Sequence, residues 1–118
     1  MTENYKNPKI VEETERLYPK MTEEFKRIMF DSYELFCKKN MDYSPSNIAL
    51  GTSLSTNEEV KVSLSGIWFR MMDKIQRLKQ LVVLGNQNQV DESINDTYQD
   101  LSNYAIISQI VKNGKWGK

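Results

Sequence analysis

Residues 65–107 read SGIWFRMMDKIQRLKQLVVLGNQNQVDESINDTYQDLSNYAII, and the punctuation inside this stretch decides the fold. Apolar residues at helical spacing run from about Glu59 to Leu84, and Gly85 is a typical residue just past a helix end. GNQNQV is a polar turn and Asp91 is placed to cap a second helix, which runs to about Asn113 before Gly114. Two long helices joined by so short a turn pack antiparallel.

Working outward, the upstream chain is also helical. Asn7 and Pro8 open a short helix that Pro19 stops, and Thr22 is placed to cap TEEFKRIMFDSYELFCKKN, where Phe25, Ile28, Met29, Leu35 and Phe36 keep helical spacing. Residues 40–58 are rich in Ser, Asn, Thr, Pro and Gly and read as a loop with one helical turn near Asn47–Leu50. No strand pattern of comparable quality and no internal repeat is present. The expectation is an all-α antiparallel bundle of three to four main helices in a single domain, residues 1–118. Residues 1–20 form an extension and 112–118 (KNGKWGK) a loosely packed basic tail.

The composition excludes several chemistries. Sixteen basic and sixteen acidic residues cancel, so the chain lacks the basic excess of duplex nucleic-acid binding. No apolar run spans a bilayer and the start carries no signal peptide; with a single cysteine, Cys37, a cytoplasmic protein is expected. Histidine is absent, which removes Ser–His and Cys–His nucleophiles and histidine zinc sites. A metal would be held by carboxylates, which points to Mg²⁺ or Mn²⁺.

The last helix carries acids at Glu92, Asp96 and Asp100, four apart, although like charges at that spacing repel. With Glu92 at zero, Asp96 falls at about 40°, Asp100 at about 80° and Asn103 at about 20°. Ile94, Tyr98, Leu101 and Ala105 lie roughly opposite, on the expected core side. Continuing the acid stripe brings Ile107 and Ile110 onto the same face, which suggests burial on more than one side. On the preceding helix Gly66, Arg70, Asp73, Lys74 and Arg77 share an arc of about 100°, with Trp68, Met71, Met72, Ile75 and Val82 on the expected core side. Arg and Lys at this spacing make a phosphate-sized cluster. A basic arc facing an acidic stripe reads either as interhelical salt bridges or as a metal–phosphate site.

KKNMDYS (38–44), GIWFRMMDKIQRL (66–78) and DESINDTYQDLSNYAII (91–107) together resemble the nucleotide-modification-associated domain family of phages and mobile elements. That family is similar in layout to the MazG-like all-α nucleotide pyrophosphohydrolases, which bind Mg²⁺ through acidic residues and act as dimers or tetramers. The resemblance implies Glu92, Asp96, Asp100 and Asp73 as metal ligands, with Glu92 and Asp96 catalytic. It implies Arg70, Lys74, Arg77 and Lys39 for phosphates, and Asp42, Tyr43, Asn103 and Tyr104 for base or sugar. It also implies a bundle completed by dimerisation or higher self-association. Two departures stand out. The paired E-x-x-E and E-x-x-D spacing of the enzymes is replaced by E-x-x-x-D and D-x-x-x-D; the D-x-x-E pair Asp31 and Glu34 points away from the expected core. Ser44 stands where the family has a glycine, which bears on the tight turn a glycine allows. Three functions remain open. They are Mg²⁺-dependent hydrolysis of nucleoside triphosphates to monophosphate and pyrophosphate, a non-catalytic sponge for a nucleotide or cyclic nucleotide signal, and a ligand-free helical scaffold.

Overall fold

Helix caps written in the sequence set most of the element boundaries. The structure is a computed structural model and describes residues 4–118. The order is α1 (Pro8–Leu17), α2 (Pro19–Tyr43), α3 (Ser46–Ala49), α4 (Asn57–Leu78), a π-helical turn (Lys79–Val83) and α5 (Ile94–Lys112). No strand occurs among the described residues, and none of their helices is long and apolar enough to cross a membrane. Asn7 caps α1 through its side-chain oxygen, with Pro8 at the first position, as expected. Thr22 is not a cap. α2 begins at Pro19, and the Thr22 hydroxyl donates back to the Tyr18 and Pro19 carbonyls inside the helix. Thr56 caps α4, and Ser93, not Asp91, caps α5 in a capping box closed by Asp96. Capping takes a side chain three residues ahead of the N–H it satisfies, and Ser93 with Asp96 has that spacing. The helix from Glu59 loosens into a π turn before Gly85, whose φ is +71°.

The chain divides into two compact units, residues 1–35 and 36–118. In the first, Lys26 of α2 donates to Glu15 of α1 at 2.6 Å, and Arg27 pairs with Glu24 and Asp31. Asp31 is exposed, as its phase implied. Phe25, Ile28 and Met29 are exposed as well, together with Met21, Phe30 and Tyr33, so this helix keeps an uncovered apolar face.

In the second unit α4 and α5 make the principal contact. They run antiparallel: Arg77 meets Glu92 and Thr97, Lys74 meets Asp100, and Arg70 meets Tyr104, so numbers fall along one helix as they rise along the other. Ile48, Ala49, Ile67, Ile107, Val111 and Trp116 form the core, with Phe36, Leu64, Met71 and Tyr104 packed against it. Ser63 is fully buried, and its hydroxyl donates to the Ile48 carbonyl at 2.7 Å, tying α3 to α4.

Two expectations about the core are corrected. On α4 the basic arc turns inward, while Trp68, Phe69, Met72 and Ile75, with Val82 of the π turn, are exposed and only Met71 of the expected set reaches the core. On α5 the buried face runs through Thr97, Ile107 and Val111, with Asp100 on the same side, while Tyr98 is exposed. The tail is corrected too. Trp116 is 8% exposed, its indole N–H donates to the Pro45 carbonyl at 2.9 Å, and its ring meets Phe36 edge-on at 5.9 Å. The KNGKWGK segment is therefore docked through its one large side chain.

Candidate functional site

Within the second unit, the end of α2, the turn into α3 and the inner faces of α4 and α5 enclose a crevice of about 330 Å³. Phe36, Tyr43, Tyr104 and Trp116 give it aromatic walls. Of the residues singled out in the sequence, Lys39, Tyr43, Arg70, Asp100, Asn103 and Tyr104 all line it. Sequence reasoning missed Phe36, Asn40, Asn47 and Trp116, which line it as well. The tryptophan was visible as the large apolar residue of the tail, but nothing local indicates that the tail folds back.

The turn after α2 is tight despite Ser44, whose φ is +61°. Its hydroxyl pairs with that of Ser46 at 2.8 Å and accepts the Ser46 N–H, local bonding that offsets part of the left-handed strain. This turn delivers Asn47 to the crevice.

The charged residues separate into two groups. In the first, every charge has a partner. Asp100 accepts from Lys39 and from Lys74, both at 3.1 Å. Lys74 also reaches Glu92 at 3.3 Å, and Arg77 approaches the same carboxylate at 3.3 Å. Arg77 further donates to the Thr97 hydroxyl and the Asn88 side chain, both at 3.0 Å, and to the Glu92 carbonyl. Thr97 is fully buried and its hydroxyl donates to Glu92 at 2.5 Å. Arg77 therefore pins the 85–93 turn to α5 and does not line the crevice.

The second group is Arg70 alone. Its guanidinium lies over the Tyr104 ring at 5.9 Å, it is half-buried, and it has no carboxylate partner among the described residues. A half-buried cation without a counter-ion is costly unless an anion joins it.

The expected acidic set does not converge. Asp96 is exposed and completes the α5 capping box, while Asp73 is exposed on α4 and Asp42 lies outside the crevice lining. Glu92 and Asp100 are engaged by three basic side chains. Among the described residues no group of three or more acids or cysteines is placed to hold a metal ion. This donor set does not fit Mg²⁺ or Mn²⁺, and no chemical step is derived through one.

The Thr97 hydroxyl lowers the Glu92 pKa below its ordinary 4.5; burial opposes this, and Lys74 and Arg77 reinforce it. For Lys74 burial pulls downward, but bonds to Asp100 and Glu92 outweigh it and the pKa rises above 10.5. The Glu92 contribution to stability is thus complete above 4.5 and is lost as pH falls through its lowered folded-state value. Glu92→Gln is expected to cost about 1.5–3 kcal/mol at neutral pH, the range for hydrogen bonds to charged groups. Urea midpoints of the two proteins should converge in acid, once the wild-type carboxyl is protonated.

No curated protein and no solved structure matches the chain. The family model for nucleotide modification associated domain 1 matches residues 39–111, more than half of the chain. That span runs from Lys39 in the crevice to Val111 in the core, and includes Arg70, Asp100 and Tyr104. The chain belongs to the nucleotide modification associated domain 1 family.

Proposed function

We propose that this protein binds a nucleotide in the crevice and holds it without cleaving it. Arg70 carries the reading. It is a half-buried guanidinium in an aromatic-walled crevice, spread over Tyr104 and lacking a protein anion, so its fork is available to a phosphate. Lys39 lines the same crevice and supplies a second cation. Tyr43 brings an aromatic ring to the same space, suited to a base, and Asn103 lines it beside Tyr104. Family membership supports the ligand class.

The catalytic version, Mg²⁺-dependent conversion of a nucleoside triphosphate to monophosphate and pyrophosphate, has less support. Its acids, Glu92, Asp96, Asp100 and Asp73, are bound to lysines and an arginine, used as a cap, or exposed. A module that sequesters a nucleotide needs none of them on a metal.

Self-association belongs to the same proposal. The exposed apolar faces of α2 (Phe25, Met29, Phe30) and α4 (Trp68, Phe69, Met72) suit a homodimer or higher oligomer. Equilibrium filtration against a nucleotide panel, with chelator or with Mg²⁺, tests the reading. The expected result is intact nucleotide retained in chelator by a species of at least twice 13.8 kDa in light scattering. Pyrophosphate release with Mg²⁺ would restore the hydrolase, and no retention under either condition would leave the scaffold.

A further inference from the structure

We infer that the crevice selects a nucleoside monophosphate over the corresponding di- and triphosphates. The inference rests on the nucleotide reading and follows from the charge balance around Arg70. Four cations and two carboxylates gather on the inner faces of α4 and α5 and the end of α2: Lys39, Lys74 and Arg77 pair with Glu92 and Asp100, while Arg70 stands apart over Tyr104. Two positive charges are left over. A phosphate monoester carries about −1.5 to −2 charge at neutral pH, which matches that surplus.

Geometry places half of this surplus at the crevice and half directly behind it. Glu92 draws on Lys74 and Arg77, away from the crevice lining, whereas Lys39, Arg70 and Asp100 line it and together carry one positive charge. One terminal phosphate has three oxygens. Two match the Arg70 fork and the third is available to the Lys39 ammonium, which Asp100 already holds in place at 3.1 Å.

A longer phosphate chain adds negative charge with no further cation to meet it. In many nucleotide sites Mg²⁺ solves that problem, anchored by one or two carboxylates and the phosphates themselves. Here Asp100, the crevice carboxylate, is clamped between Lys39 and Lys74. It takes up the lysine charge that extra phosphate would need and offers no vacant oxygen pair to a cation. Asp100 is thereby the specificity-determining residue, and its pairing with two lysines is the means.

Calorimetric titration in chelator tests this with nucleosides and their 5′-mono-, di- and triphosphates, in ribo and deoxy forms. Monophosphates are expected to bind at least about tenfold more tightly than the triphosphates or the bare nucleosides, the scale of one poorly compensated charge near a protein surface. Asp100→Asn frees Lys39 and Lys74 from their carboxylate and raises the surplus, so its preference should move toward the diphosphate. Tightest binding of the triphosphate, a requirement for Mg²⁺, or an order unchanged in Asp100→Asn overturns the inference while leaving nucleotide binding intact. No heat with any compound removes both readings.

Discussion

Replacing Arg70 by alanine is expected to weaken nucleotide binding by roughly 1.5–3 kcal/mol, about 10- to 150-fold, the range for hydrogen bonds to a charged group. Stability should change little. Arg70 has no ion pair among the described residues to lose, and its placement over Tyr104 contributes only about 0.5–1 kcal/mol. Arg70→Lys keeps the charge but not the planar fork or the stacking, so an intermediate affinity is expected. Arg77→Ala supplies the contrast. It removes the donors to Thr97, Asn88 and the Glu92 carbonyl, and should lower the urea midpoint with a smaller effect on ligand affinity. Titration and urea unfolding of the three variants distinguish a binding residue from a structural one. Unchanged affinity in Arg70→Ala would remove the phosphate role.

These opposite outcomes for two arginines on one arc mark how far the sequence could be read. The all-helical class, the antiparallel α4–α5 pair and the meeting of basic and acidic arcs follow from local rules, because caps, glycine stops and helical phase act over a few residues. Which arginine is consumed does not follow. Arg70 and Arg77 are two turns apart with similar phase, and Arg77 is taken by Thr97 of α5 together with Asn88 and Glu92, which the folding back of the 85–93 turn brings to it, while Arg70 is left.

Helical phase also misled in an instructive way. Polar stripes normally face solvent, so the acids of α5 and the bases of α4 implied cores on the far sides of both helices. In the structure the stripes face each other. Asp100 shares the inward side of α5 with Ile107 and Val111 because two lysines neutralise it, and Trp68 and Phe69 are left outside. Periodicity identifies two faces of a helix but does not say which is inward when a polar network lies between helices. Strong apolar exposure on α4 follows from the same inversion, and is the physical ground for expecting a second copy to cover it.

The tail carries the second large effect. Trp116→Ala is expected to destabilise the protein by about 3–5 kcal/mol, the cost of deleting a large buried aromatic side chain. Packing accounts for most of it. Trp116 belongs to the core with Ile107 and Val111, and its ring meets Phe36 edge-on. The Pro45 carbonyl that accepts the indole N–H keeps bonds from the Ile48 and Ala49 N–H groups, so it is not orphaned by the change. Trp116→Phe retains a ring and loses the indole donor, and should cost about 0.5–1.5 kcal/mol from the hydrogen bond plus a smaller packing loss. Because the ring also lines the crevice, Trp116→Ala should weaken the ligand at temperatures where the protein is still folded. Urea unfolding with an unchanged slope would assign the loss to stability of the native state. A loosely packed tail requires the opposite result, a midpoint shifted by less than about 0.5 kcal/mol, as for ordinary surface substitutions.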